Sequence, residues 1–373
     1  MSDLLKDIYT MNFLNDFGGK VHTVYENFDT KQFVNSVLSD PWDDLPLKAR
    51  THKIAEVLGE YLPKDFEAAL EILLSINASC TGFPYLFLPN FVEIFGQQEK
   101  YFDISMNALE QFTQQSSSEF AIRPFLIREP DRVMEYMMRW SLHPNEHVRR
   151  FSSEGCRPRL PWGISLPMFK NDPSLVLKIL ENLKFDNSLY VRKSVANNLN
   201  DISKDNPDIV LETIKKWIGI NPNTDWIVRQ GCRTLIKKAN PKAMELFGYT
   251  NFSTDKSLFK NATISVDKRN LNIGDSCKLN YSLDIDWATS PYIRLEYAID
   301  FIKSNGKSSR KIFFLSDKIV SKTAHLHGTK MHSFADLTTR RHYPGIHKIA
   351  LLINGQEAAQ TTLNIIEVKH DYK

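Results

Sequence analysis

The sequence predicts a chain of two parts, an α-helical solenoid followed by an antiparallel β-sandwich. Three observations lead there. Up to about Phe247 the apolar residues recur with a helical period, and from about Asn261 they fall in short strand-like runs. The helical part carries a repeated Val-Arg motif. The length of 373 residues suffices for two separate cores.

The stretch PDIVLETIKKWI (207–218) places Ile209, Val210, Ile214 and Trp217 on one face with charges opposite. PSLVLKILENL (173–183) does the same, and each stretch has proline near its start, where a helix tolerates it. The Val-Arg pairs are Val148-Arg149, Val191-Arg192 and Val228-Arg229, in NEHVRRFSSEGC, NSLYVRKSVANNL and TDWIVRQGCRTLI. Their spacings of 43 and 37 residues fall around the period of HEAT-like helical repeats. Each unit opens with a polar residue suited to capping a helix, then presents small residues that allow close packing. Units of this kind bury their apolar faces by stacking, which builds a concave surface.

Beyond Asn261 come NATISVDKRNLNIGDSCKLNYSLDI, YIRLEYAIDFI, RKIFFLSDKIV and GIHKIALLING, separated by turn residues such as SNGK (304–307) and YPG (343–345). Runs of this length and spacing predict a sandwich. The polar stretch YTNFSTDKS (249–257) is the expected linker, giving domains 1–248 and 249–373.

Residues 249–373 hold 18 Lys and Arg against 12 Asp and Glu, a net +6, while the remainder holds 29 against 32, a net −3. A basic C-terminal part points to a polyanionic partner or to ordinary solubility. No apolar run approaches the roughly 18–20 residues that cross a bilayer. The opening MSDLLKDIYTMNFLNDF carries acids early and has no small-residue cleavage site, so a cytoplasmic location is expected. Cys80, Cys156, Cys232 and Cys277 lie far apart with no zinc spacing, and free thiols are expected.

Candidate chemistry centres on charged groups at repeated positions. Arg149, Arg150, Arg192 and Arg229 would align on stacking, and a row of guanidinium groups can follow a phosphate backbone. Alternatively they bridge neighbouring repeats through carboxylates. Glu154 and Asp201 lie at the ends of their predicted helices, where the helix dipole disfavours a negative charge. Either each is neutralised locally, as Glu154 by Arg150 one turn earlier, or together they form an acidic pocket for a developing cation. Glu119 closes SSSE (116–119), which has the form of a capping box. Trp162, in RLPWG (159–163), sits in a proline-flanked loop as either a core lid or a recognition surface. His325, His327, His332, His342 and His347 match no standard zinc spacing, so no metal site is assigned. No Gly-rich phosphate loop, GxSxG elbow or HExxH motif is present.

Three segments, HPNEHVRRFSSEGCRPRLPWG (143–163), VRKSVANNLNDISKDNPD (191–208) and SSSEFAIRPFL (116–126), together resemble the AlkC branch of the HEAT-like alkylpurine DNA glycosylases. The resemblance covers roughly residues 1–248. Some members carry a C-terminal immunoglobulin-like domain, which fits the β part. The resemblance implies excision of N3-methyladenine and N3-methylcytosine from double-stranded DNA, in base excision repair, without flipping the base. By matching motif it makes Glu119, Glu154, Trp162 and Asp201 the catalytic candidates. It raises Glu119 above its capping role. Arg149, Arg150, Arg157, Arg192 and Arg229 are the DNA-binding candidates of the helical part. A cationic base leaves without a general acid, and cleavage builds positive charge on the sugar, as in glycoside hydrolysis. Carboxylates stabilise that charge and orient water, and the face of Trp162 favours it too. The implied enzyme is a monomer that needs no cofactor and leaves the strand uncut.

In the β part, TTRRHYPGIHK (338–348) is basic, and Arg340 and Arg341 are its DNA candidates. Tyr343 is expected to form a structural corner. The competing reading is a non-catalytic helical scaffold with a β adaptor binding protein or nucleic acid. It explains the repeats but leaves the helix-end carboxylates and the Trp162 loop unexplained.

Overall fold

The computed structural model describes residues 5–251, 258–337 and 340–366. They form two compact units, residues 1–232 and 233–373. The helices of the first unit are α1 (Met11–Val24), α2 (Thr30–Val37), α3 (Leu47–Tyr61), α4 (Phe66–Ile76), α5 (Phe87–Phe95), α6 (Phe102–Thr113) and α7 (Arg123–Arg128). They continue as α8 (Pro130–Trp140), α9 (Glu146–Gly155), α10 (Pro167–Asn171), α11 (Ser174–Leu183), α12 (Leu189–Ile202), α13 (Pro207–Trp217) and α14 (Pro222–Gly231).

The three Val-Arg segments are α9, α12 and α14, and α12 packs between the other two. Val148, Val191 and Val228 are fully buried, each contributing about 1.5–3 kcal/mol. Polar caps open these helices. Asn145 Oδ1 accepts from His147 N, Ser188 Oγ from Tyr190 N and Asn221 Oδ1 from Thr224 N. The third helix thus starts at Pro222, before the Thr224 that the repeat alignment suggested, because Asn221-Pro222 is a strong cap and first-turn pair. Small residues set the helix spacing. A Cβ on Gly155 would lie 2.9 Å from Met137 Cε, and one on Gly231 would lie 3.0 Å from Leu199 Cβ.

The second unit begins with two short helices, α15 (Arg233–Lys237) and α16 (Pro241–Leu246), which fall with the sandwich although the sequence pattern ran on as helix to Phe247. Tyr249 and Thr250, expected in the linker, are tied into this unit. Tyr249 donates to Asp317 Oδ2 (2.8 Å) and stacks on Tyr292, and Thr250 N donates to Tyr292 O. The rest of the linker, 252–257, lies outside the described residues.

The strands are β1 (Phe259–Val266), β2 (Asn270–Asn272), β3 (Ser276–Asp286), β4 (Tyr292–Ile302), β5 (Ser308–Ile319), β6 (Thr323–Ser333), β7 (Gly345–Ile353) and β8 (Gln356–Ile366). One sheet has the order β1-β3-β6 and the other β2-β8-β7-β4-β5. Pairing is antiparallel except between β2 and β8, where Asn270 to Asn272 run parallel to Asn364 to Ile366. Leu279, Leu283, Ile293, Tyr297, Ile299, Ile349, Leu351 and Leu363 belong to the buried core of this unit.

The histidines divide by environment. His325 and His327 stack at the surface, and His325 meets Asp284 at 2.6 Å. His332, His342 and His347 are buried around Phe301 and Phe334. Tyr343 lies ahead of β7, and its carbonyl meets His347 Nε2 at 3.1 Å. All four cysteines are buried free thiols. No helix among the described residues is long and apolar enough to cross a membrane.

Candidate active site

Glu154 and Asp201 are the penultimate residues of α9 and α12, which lie side by side. Their carboxylates face the dipole of their own helices, so each needs a cation, and one arginine serves both. Arg157, just past the end of α9, donates Nη1 to Glu154 Oε1 (2.6 Å) and Nε to Asp201 Oδ2 (2.9 Å). Lys204, one turn beyond Asp201, donates to Asp201 Oδ1 (2.8 Å). Ser194, from within α12, donates to Glu154 Oε2 (2.6 Å).

Glu119 joins the same chain of charges from the turn between α6 and α7. Arg150 grips it with both terminal nitrogens, Nη1 to Oε2 (3.0 Å) and Nη2 to Oε1 (3.3 Å), and lies 3.6 Å from Glu154. The capping box expected at SSSE does not form. The next helix begins only at Arg123, and Ser116 N donates to Phe112 O instead of to Glu119. Arg150 supplies the stronger partner, because a bidentate charged pair outweighs one neutral backbone donor. The Ser117 hydroxyl accepts from Arg150 as well (2.7 Å).

Three buried carboxylates, Glu119, Glu154 and Asp201, are therefore linked through Arg150, Arg157 and Lys204, three negative against three positive charges. Burial works against the charge of Arg150 and Arg157, yet their carboxylate neighbours hold both above the usual guanidinium range. Charges arranged in this way are fixed before any substrate arrives, and removing one partner strands another in low dielectric.

Trp162 lies in the loop between α9 and α10. It is 62 % exposed and its backbone is left-handed, with φ of 64°. A non-glycine residue there costs about 1–2 kcal/mol. The indole is thus presented to solvent and is no core lid. Trp162 borders a cavity of about 30 Å³ shared with Ser117, Phe120 and Lys48.

The arginines expected on a phosphate-tracking row separate. Arg149 pairs with Asp186 through Nε (2.6 Å) and Nη2 (3.1 Å), and its Nη1 takes the His143 and Pro144 carbonyls. Arg192 repeats the second half of that pattern, with Nη1 on the Asp186 and Asn187 carbonyls. Both thereby lock the loop that precedes their own helix, and Arg149, through the Asp186 carboxylate, also makes the expected bridge to the next repeat. Arg229 is half-buried on α14. In the second unit, Arg341 is exposed, and Arg340 lies 4.7 Å from the Phe301 ring and 5.6 Å from Phe313. Thr338 and Thr339 of that basic stretch lie outside the described residues.

Sequence reasoning passed over Ser194, Lys204, Lys48 and Arg123. Lys204 carried a signal in its spacing of three from Asp201. Arg123 carried a fainter one as a lone cation inside the apolar run FAIRPFL.

The fold, a helical part followed by a β-sandwich, agrees with what comparison with known proteins finds. Residues 112–235 match the model of the DNA alkylation repair enzyme family, and residues 260–367 match that of the C-terminal Ig-like domain of the uncharacterised protein YhaZ. Over 95% of its length the chain is 41% identical to the uncharacterised protein YhaZ of Bacillus subtilis (strain 168), covering 97% of that protein. Its fold matches the alkylpurine DNA glycosylase AlkC of Pseudomonas fluorescens, a structure solved bound to DNA containing an abasic site analogue. The TM-score is 0.91 at 37% identity, over 98% of this chain and 100% of that one. The chain belongs to the AlkC family of alkylpurine DNA glycosylases.

Proposed function

We propose that this chain is a monofunctional DNA glycosylase that hydrolyses the N-glycosidic bond of cationic alkylated bases, N3-methyladenine and N3-methylcytosine, in double-stranded DNA. The observation that carries the reading is the convergence of Glu119, Glu154 and Asp201 in one charge-paired cluster, with Trp162 exposed on a loop nearby.

The base of such a nucleotide is already positive, so it departs neutral and positive charge moves to C1′ of the sugar. Fixed carboxylates stabilise that charge, and one of them orients the attacking water. Asp201 is the best placed to do so. Arg157 anchors its Oδ2, while among the described residues Oδ1 is held by Lys204 alone, whose side chain is 37% exposed. A DNA phosphate can draw Lys204 off and free that oxygen. The indole of Trp162 packs on the deoxyribose. Nothing in this scheme requires a metal, an organic cofactor or a Schiff base. We read the base as staying in the helix during excision, as the family resemblance implies.

The family match supports DNA as the partner, and the neighbour's abasic-site complex corresponds to the product of such a reaction. We read the protein as acting as a cytoplasmic monomer in base excision repair, with the DNA backbone met by exposed cations including Arg341. The test is release of radiolabelled 3-methyladenine from methylated duplex DNA by the purified chain. Release above the buffer rate, leaving an abasic site and an uncut strand, is the expected result. No release under conditions where the protein binds that DNA would leave a non-catalytic scaffold as the better reading.

A further inference from the structure

The loop that carries Trp162 holds a bulky residue in the sparsely populated left-handed region. A bulky residue in the left-handed region persists only where its surroundings over-determine it. Within the loop, Gly163 N donates to Leu160 O (3.1 Å) and Leu166 N to Pro158 O (3.2 Å). The first bond makes Trp162 the third residue of a four-residue turn and takes the N–H of the Trp162–Gly163 peptide, which leaves its carbonyl to partners outside the loop. Two cations from distant elements reach the loop.

Lys48, in the first turn of α3, donates to the Trp162 carbonyl at 2.8 Å across 114 residues of chain, and its ammonium lies 5.1 Å from the Phe120 ring. Arg123, at the start of α7, is fully buried. Its Nε donates to Ile164 O, its Nη1 to Gly155 O (2.9 Å) and its Nη2 to Arg157 O (3.0 Å). The first bond grips the loop just past Trp162. The second takes a carbonyl at the negative end of α9. The third holds the backbone of the residue that joins Glu154 to Asp201. The planar guanidinium presents its three nitrogens in fixed, separate directions and so meets three spaced carbonyls at once. Gly163 packs on this arrangement, since a Cβ there would lie 3.2 Å from Arg123 Cδ and 3.0 Å from Leu160 Cδ2.

We propose that Lys48 and Arg123 are positioning residues that hold the Trp162 loop in its left-handed conformation, and that Arg123 fixes this loop and the Arg157 carboxylate bridge in one frame. The consequence for base release rests on the function proposed above. The placement of the loop does not.

The experiment therefore has two arms. In the first, the full chain is labelled with 5-fluorotryptophan and the Trp162 fluorine resonance is assigned with Trp162→Phe. Lys48→Met, a surface change, and Arg123→Lys, which keeps the charge but loses the fork, should each shift or broaden that resonance and leave those of buried Trp140 and Trp217 in place. An unmoved Trp162 line in either variant overturns the proposal for that residue. In the second arm, single-turnover base release is measured for Lys48→Met with and without Trp162→Phe. A loss of about tenfold or more is expected with the tryptophan present, and little further loss without it, at unchanged DNA affinity. Equal losses in both backgrounds would mean that Lys48 acts on DNA directly and would overturn its positioning role. Wild-type release by Trp162→Phe alone, with the fluorine line still moving in the other variants, would uphold the positioning and sink the indole's part in the reaction.

Discussion

Arg157 places two nitrogens on the same oxygen of Asp201, Nε at 2.9 Å and Nη2 at 2.8 Å, and leaves the other oxygen to Lys204. The carboxylate is thus anchored from the protein side and held by a partly exposed lysine on the other. Asp201→Asn keeps the shape and removes the charge. Base release should fall about 10²–10³-fold, with duplex affinity within a few fold of wild type. Lys204→Met should instead leave the rate within about threefold and weaken DNA binding, because the lysine only occupies Oδ1 until a phosphate arrives. Single-turnover release and a binding titration on each variant decide the matter. A rate unchanged by Asp201→Asn would remove Asp201 from the chemistry.

Substrate charge tests the same cluster from the other side. Three carboxylates matched by three cations offer no obvious acid for a neutral leaving group. Cationic N3-methyladenine should be released far faster than uracil or hypoxanthine from the same duplex. Comparable uracil release would show that the leaving base is activated by a group this mechanism lacks.

These residues also show what a sequence makes legible. The fold class was readable because the change of period near residue 250 reflects two ways of burying apolar surface. The acids were readable because an acid at a helix C-terminus is unfavourable by itself, so its presence asks for a partner. Glu119 was misread locally, since SSSE scores as a cap until Arg150, 31 residues later, is seen to hold it. The repeated arginines do not share one environment. Arg150 belongs to the site, whereas Arg149 and Arg192 secure loops. Lys48 was illegible, and Arg123 legible only as a lone cation in an apolar run, because their partners are main-chain carbonyls, which every sequence contains and no side-chain pattern marks.

The second unit should be sensitive to acid. His332 is buried against Phe301, Phe313 and Phe334, with its Nδ1 2.9 Å from the Tyr297 hydroxyl. Burial, reinforced by Arg340 and His342, pushes its pKa down to about 4 from 6.5. Burial lowers His342 and His347 as well. Between pH 6.5 and about 4 the unfolded chain binds a proton that the folded unit refuses. Stability is therefore complete above pH 6.5 and is lost as the pH falls through that window, by up to about 3 kcal/mol from His332. Denaturant unfolding at pH 7 and pH 5, followed by hydrogen exchange in β4 and β7, measures this loss. His332→Gln retains a hydrogen-bonding group toward Tyr297 without titrating in this range, and should flatten the dependence. An unchanged slope would assign the acid sensitivity to other groups.

The last expectation separates arginines that hold the fold from arginines that hold DNA. Arg149 is committed to Asp186 and to two loop carbonyls, whereas Arg341 is exposed in a region of net +6. A phosphate contact releases counterions and adds about 0.9 to the slope of log affinity against log salt on duplex DNA. Arg341→Ala should flatten that slope by about this amount, equally on damaged and undamaged DNA, because phosphates carry no base information. Arg340→Ala should behave similarly but also cost stability, since its guanidinium packs on Phe301 and Phe313. Arg149→Ala should leave the slope unchanged and lower Tm, because it strands Asp186 and unlocks the loop before α9. Titrations of the three variants against duplex DNA at several salt concentrations, with melting curves alongside, test all of this at once. If Arg149→Ala flattened the slope while Arg341→Ala did not, the phosphate path would run along the helical repeats. The charge of the second unit would then serve solubility alone.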